Sequence, residues 1–515
     1  MRTLALWALL SSAAWATDYH VGPGQTYATI GAVPWATLAP GDRVYIHWRS
    51  TPYAEKWVIC RQGTQADPIL VSGVPGPGGE RPVISGDGAV TAPGLNYWNE
   101  DRGVLKIGGA NTPADLTPAW IVVEGLDIRS ARPGFTFTDD GGTSGMNYSS
   151  NASAIYLEKG DHVVVRDCVF HDCGNGFFCA SGTSDLLVDG CHIYDNGISG
   201  SIFEHNNYTE ANGITFQFNR FGPLRSGCPG NNLKDRSAGC VIRYNWIESG
   251  NRQLDLVDSD TLYTDPDYGT THVYGNILIE PDGAGNSQIC HYGGDSGTTA
   301  EYRKGTLHFY NNTVISTRAG NTTLFRLSTN EESADCRNNI LYVTAGGGNF
   351  AMLDGAGALT LRNLWVKAGW SDSHSGLTGS ITDNGGHVNG TTPGFVDFTG
   401  QDFHLASASG CVDAAASLAA AVLPTHDLTT QYVTHQSSQA RVVVSTLDIG
   451  AFEYGVAAPP PPPPPAPPVT PGGGGGGSSG CGLMGIEPVL LFAMLAWLKR
   501  RKPAQERKKE LAPER

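Results

Sequence analysis

One short pattern recurs through the middle of the chain: an apolar residue, two variable positions, an Asn or Cys, one variable position and a second apolar residue. It reads Val165-x-x-Cys168-x-Phe170, Val188-x-x-Cys191-x-Ile193, Phe216-x-x-Asn219-x-Phe221, Ile242-x-x-Asn245-x-Ile247, Val273-x-x-Asn276-x-Leu278, Phe309-x-x-Asn312-x-Val314 and Cys336-x-x-Asn339-x-Leu341. Val123-x-x-Leu126-x-Ile128 and Thr360-x-x-Asn363-x-Trp365 extend it at the ends. The central positions follow one another at intervals from 23 (Cys168 to Cys191) to 42 (Leu126 to Cys168). A unit of this size cannot bury its apolar face alone and must stack on its neighbours. An inward Asn amide at each turn bonds backbone groups above and below it, and Cys fits the same small slot.

Ahead of most of these turns lies another short apolar strand, at 154–157, 176–179, 206–209, 232–236, 253–257, 288–292, 323–327 and 350–353. Two or three short strands per unit with no helical period predict an all-β solenoid of about 9 to 11 rungs. The 67 glycines and 16% charged residues agree with a turn-rich chain. The opening Val21-Gly22-Pro23-Gly24-Gln25, then Pro40-Gly41-Asp42-Arg43-Val44, Gly63-Thr64 and Pro68-Ile69, is similar to the N-terminal start of right-handed parallel β-helices. Over about 18 to 454 the chain resembles that pectate-lyase-like family. The resemblance is mostly architectural, and fold transfers better than activity.

The ends read differently. Arg2, the apolar run Leu4 to Leu10 and Ala14-Trp15-Ala16 predict a signal peptide over 1–16, cleaved after Ala16. The body is then 17–456, with caps at both ends of the solenoid and a closing strand at 447–454. Residues 457–480 are a Pro- then Gly-rich linker. Cys481, an apolar run from Leu483 to Leu498 and the cluster Lys499 to Lys502 make up 481–502, followed by a charged tail over 503–515. The stretch 479–502 resembles C-terminal sorting signals of Gram-negative bacteria, the myxobacterial kind in particular. That implies a temporary membrane anchor cut near Cys481 and a body displayed on, or released from, the outer surface; a permanent single-pass anchor is the alternative. Export also suits eleven cysteines, of which Cys228 and Cys240 either close a loop or, like the others, fill buried slots as free thiols.

The net charge of −15 disfavours nucleic acid as a partner. Within 232–236 an inward Leu233 leaves Lys234 and Arg236 pointing outward together, and makes Asp235 an inward acid that needs a buried partner. Aligning the turns puts Tyr208 and Glu210 on the preceding rung and Asp255 on the following one, flanked by Gln253 and Val257, with His205, Arg252, Asp258, Asp260 and His291 at the rim. Such a patch suits β-elimination from a uronic acid glycan. Lys234 would be the base, Arg236 would offset substrate charge, and Tyr208 or His205 would protonate the leaving oxygen. Asp255, Glu210 and Asp258 would hold a calcium ion. The segment 231–237 is similar to a Lys-x-Arg segment of uncharacterised bacterial β-helix proteins, differing in Asp235. The partner expected is an acidic polysaccharide, and the chain a monomer that meets the membrane only through its tail. A non-catalytic adhesive surface and a β-helix glycoside hydrolase are the alternatives; Asp258-Ser259-Asp260 and Asp265-Pro266-Asp267 are the nearest acid pairs for the latter. No zinc, serine-triad or phosphate-loop signature occurs.

Overall fold

Each repeat winds into one coil with three faces, the first two covered by a single continuous strand in the coils of Ser153–Arg166, Asn175–Asp189 and Asn207–Gln217. In chain order a coil lays one strand on a first face, as Leu233–Asp235 does, one on a second, Ala238–Arg243, and one on a third, Trp246–Glu248. Every strand pairs in parallel with its counterpart in the next coil: Leu233 with Leu254, Val241 with His272, Trp246 with Ile277. The third face is a ladder of ten strands from Val83–Ser85 to Trp365–Val366, so the stack has ten full coils. The protein is a right-handed parallel β-helix. The computed structural model describes residues 16–456; the cleavage site's leader side, the linker, Cys481 with its apolar segment and the charged tail lie outside the described residues. Among the described residues no helix is long and apolar enough to cross a membrane.

The recurrent Asn lies between the second and third faces. Asn219, Asn245, Asn276, Asn312 and Asn339 are fully buried. Each oxygen accepts the backbone N–H of the residue one coil back: Asn219 donates to Asn245 at 3.0 Å, Asn245 to Asn276 at 2.9 Å, Asn276 to Asn312 at 3.0 Å and Asn312 to Asn339 at 2.8 Å. Each amide nitrogen donates to a carbonyl of an earlier coil, as Asn276 does to Ile242 at 2.9 Å. The residue before the Asn is left-handed, with φ of 57° at Phe218, 54° at Tyr244 and 66° at Gly275. That conformation turns the chain sharply enough to aim the amide inward. In the last coil the slot holds Leu364, because Leu361 and Val366 pair with Cys336 and Leu341. The sequence alignment on Asn363 is therefore one residue out; Asn363 faces outward and donates to Ala414 O at 2.9 Å.

The first coil is covered by Ile30–Ala32 and by Trp35, stacked on Trp57. The other end differs from expectation. Residues 447–454 form no strand. The segment 411–454 runs back along the corner between the second and third faces as a strap. Asn338 donates to Ala416 O, Tyr310 to His426 O and Gln436 to Gly190 O, and Asn311 to Asp448 O on the return. Phe403 stacks on Trp246 and Leu428 packs by Tyr244. The outward left-handed residues of successive turns supply the docking groups, leaving the first face uncovered by it. The ten described cysteines are free thiols, and Cys228 and Cys240 do not close a loop.

Replacing Asn276 by Ala strips partners from the Asn245 turn and from Ile242 O inside the stack. We expect a loss of roughly 3 kcal/mol in urea unfolding, whereas Asn363→Ala, at a half-buried outward position, should cost well under half of that.

Candidate active site

On the first face, side chains alternate inward and outward. Leu233, Leu254 and Leu256 enter the core. Between them runs an outward column in which Tyr156, Phe178, Tyr208, Lys234, Asp255, His291 and Arg326 pair in register on successive coils. Tyr208, Lys234 and Asp255, aligned from the turns alone, stand side by side. Phe178 lies between Tyr156 and Tyr208, with ring centroids 5.2 and 5.5 Å away.

Lys234 Nζ donates to Asp255 Oδ2 and to Asp295 Oδ2, both at 2.6 Å. Arg236 donates through Nε to the Tyr208 hydroxyl at 3.0 Å and through Nη2 to Asp295 Oδ1 at 2.8 Å. A third donor bonds the Asp258 carbonyl. One carboxylate, Asp295, thus bridges both cations. It sits in the loop after Gln288–Tyr292, anchored where Asp258 accepts its N–H at 2.7 Å. Sequence reasoning missed Asp295, since a loop residue has no register to read.

Asp235 does point inward, and its partner is Arg303, equally buried, 3.4 Å away. Thr209 and Ser237 hydroxyls also donate to it, at 2.7 and 2.8 Å. His205 lies under Tyr208, edge-on to its ring at 5.7 Å. Its Nδ1 accepts the Asn231 N–H at 2.9 Å, so the proton of the neutral ring is on Nε2. Burial first, then the Lys234 charge, bring His205 down to about 3. Burial alone would raise Asp255; Lys234, His291 and Arg252 overcome it and hold the carboxyl well below the usual range. Asp295 is likewise lowered against burial by Lys234 and Arg236. Gln253 and Val257 are buried, not groove neighbours, and Gln253 bonds Glu280; Asp260 is exposed.

The acids expected to hold calcium do not converge. Asp255 uses both oxygens on Lys234, Asn231 and His291. Asp258 is taken by the Asp295 and Ser296 backbone, and Glu210 by the Ser259 and Thr261 hydroxyls. Calcium wants six to eight oxygens, and this donor set does not fit it. Among the described residues, the one group with ligand atoms within 4.8 Å of one another is Asp161, His162 and Asp185, in earlier coils.

A second chain of contacts starts from the same Asp255. Its Oδ1 faces His291 Nδ1 at 2.9 Å, and His291 Nε2 faces Ser328 Oγ at 2.9 Å. The members are 36 and 37 residues apart, one per coil, so no local motif could reveal them.

Comparison with known proteins follows the fold. The family described as right handed beta helix region matches residues 117–314. Pectate lyase Pel9A superposes with a TM-score of 0.45 at 12% identity, covering 86% of this chain and 97% of its own. An alginate lyase from Paenibacillus sp. str. FPU-7 gives 0.39 at 13% identity, covering 63% and 92%. A GH136 lacto-N-biosidase from Eubacterium ramulus gives 0.43 at 12%, covering 73% and 68%. No curated protein matches the sequence.

With His205 brought down to about 3 by burial against 6.5 when free, the unfolded chain binds the extra proton between those values, so stability decreases as the pH is lowered. Asp255 and Asp295, both lowered, add stability that is complete above the free carboxylate range and lost below about pH 4. The melting temperature should drop steadily on acidification from pH 6.5, more gently in His205→Asn; parallel profiles would count against a buried neutral His205.

Proposed function

We propose that the protein is a polysaccharide lyase that cleaves acidic, uronate-containing glycans along the first face. The observation that carries this reading is the bridging position of Asp295: Lys234 and Arg236 together hold one carboxylate at the groove, at 2.6 and 2.8 Å. A uronate carboxylate arriving there takes over both cations. Removing the C5 proton beside a carboxylate builds negative charge that such a pair neutralises.

Lys234 then serves as a charge clamp, not as the base expected from the sequence, because it donates to two carboxylates and offers no electron pair. Proton abstraction falls to Tyr208, whose hydroxyl oxygen accepts from Arg236. As the C5–H bond breaks, its electrons form the C4–C5 double bond, and the C4–O bond opens. The leaving oxygen takes the hydroxyl proton of Tyr208 as the phenol oxygen gains the C5 proton, so Tyr208 ends as it began; His205, neutral and with Nδ1 accepting from Asn231, is not the acid expected from the sequence, because losing its Nε2 proton would leave an imidazolate. Phe178, half-buried beside Tyr208 with ring centroids 5.5 Å apart, gives sugars an aromatic contact along the same column. The protein works outside the cytoplasm, at the cell envelope; what supports this is the signal-peptide-like sequence before Thr17 and the resemblance of the segment around Cys481 to sorting signals.

The test is the ultraviolet absorbance of the unsaturated uronate product on pectate, alginate and glucuronan, with and without chelator. We expect activity without calcium, a fall in kcat of about 100-fold or more in Lys234→Ala and Tyr208→Phe, and a KM lowered roughly fivefold in Asp295→Asn as its competition is removed. New reducing ends without absorbance would make the protein a hydrolase. Glycan binding without either would make it an adhesive surface.

A further inference from the structure

We propose that Ser328 is the nucleophile of a second, ester-cleaving activity in the same groove, with His291 as its general base and Asp255 as the group that orients the base. The contacts are those of an acyl-transfer relay: Asp255 Oδ1 to His291 Nδ1 at 2.9 Å, and His291 Nε2 to Ser328 Oγ at 2.9 Å. Asp255 is an ionised acceptor, fixed by Lys234 and Asn231 on its other oxygen. The Nδ1 proton therefore faces Asp255, and the Nε2 electron pair faces Ser328. Burial keeps His291 below its ordinary value, which leaves it neutral and able to accept a proton near pH 7.

The surroundings of Ser328 fit the role. Asp255 and His291 are 2% and 3% exposed, whereas Ser328 is half-buried at the end of Thr322–Leu327. The Gly294 N–H donates to Ser328 Oγ at 2.9 Å, and Gly294 O, 3.0 Å from the same Oγ, is a second acceptor from which the hydroxyl proton must turn to reach His291 Nε2. Gly293 lies so close that a Cβ there would stand 2.5 Å from Ser328 Oγ, and its φ of +133° also favours glycine. Backbone without side chains thus flanks the hydroxyl. Arg252 and Arg326 both act on His291 electrostatically and are the cations available to offset a developing oxyanion.

In the first half-reaction Oγ bonds to the ester carbonyl carbon while its proton passes to His291 Nε2. The bond from that carbon to the alcohol oxygen breaks, and the oxygen leaves with the proton from His291. Water then attacks the acyl-Ser328 and gives a proton to His291. The acid departs as the proton returns to Ser328 Oγ. The substrate class is a small carboxylic ester on an acidic glycan, either an alkyl ester of a uronate or an acyl group on a sugar hydroxyl. This substrate assignment rests on the lyase reading. Ser328 belongs to the third coil after Lys234, roughly 14 Å along the stack at the usual strand spacing, so one glycan strand can present its carboxylate at one place and its ester at the other.

The experiment treats the full-length protein with a fluorophosphonate and maps the modified peptide, alongside hydrolysis of p-nitrophenyl acetate. Label should fall on Ser328, disappear in Ser328→Ala, and form about 100-fold more slowly in His291→Gln. Absence of label on Ser328 in the wild type, or equal rates in His291→Gln, overturns the proposal, and the wild-type mapping decides even if Ser328→Ala folds poorly. Two polymer arms separate the sources of ester: methanol from a methyl-esterified uronan, acetate from an O-acetylated one. Labelling with release of neither overturns the substrate assignment. Elimination is scored separately by absorbance, so a failed lyase reading leaves the Ser328 result standing.

Discussion

Everything in this molecule depends on satisfying one buried turn. Between the second and third faces the chain must reverse direction inside the stack, where no water can reach its N–H and C=O groups, and an orphaned pair there would cost several times a net hydrogen bond. The ladder Asn219, Asn245, Asn276, Asn312 and Asn339 meets that demand one coil at a time, each amide serving the coil before it. Because the same side chain bonds both its neighbours, the coils are locked in register as well as capped. Cys168 and Cys191 continue the column where the neighbouring carbonyls, Val123 O and Val165 O, lie 3.9 and 3.6 Å from sulfur.

A locked register turns distant sequence into adjacent chemistry. Tyr208, Lys234, Asp255 and His291 lie in one outward column because each stands at the same place in its coil. The corner that turns most sharply is also the one that offers outward left-handed residues, and there the strap docks through Asn311, Asn338 and Asn363. Strands thereby hold Lys234 and Asp255 side by side, while the loop after Gln288–Tyr292 brings Asp295 to them.

Legibility followed the same division. The turn pattern was readable because it is a spacing, and with it came the all-β fold, the coil count and the alignment of Tyr208, Lys234 and Asp255. It failed by one residue at Asn363, where Leu364 fills the slot, because an apolar side chain there leaves no polar mark in the sequence. The strap could not be read at all: Trp246, Tyr244 and Tyr274 look like ordinary core residues, and nothing local says that the chain returns to cover them. Asp295 and Arg303 stayed hidden for a related reason. They come from one loop, and their partners, Lys234 and Asp235, are 61 and 68 residues earlier in the chain. The inward Asp235 was the one visible clue, since a buried acid demanded a cation somewhere.

On the proposed lyase reading, charge balance explains how a chain of net charge −15 would receive a polyanion. Around Asp295 three cations, Lys234, Arg236 and Arg252, face three carboxylates, Asp255, Asp258 and Asp295. This part of the groove is therefore close to neutral, and a bare row of cations need not be stored there. Asp255 lies on a strand and is nearly fully buried, and Asp258 is tied to its neighbours' backbone. Asp295 differs: it is carried by a loop and its side chain is 34% exposed. It is the one acid of the three that can withdraw without opening the core. A substrate carboxylate that displaces it changes no net charge and reforms the same two ion pairs, so the desolvation of Lys234 is already met before the glycan arrives. Neutral sugars would gain nothing from that exchange, so on the proposed reading selectivity for an acidic glycan would come from the swap itself.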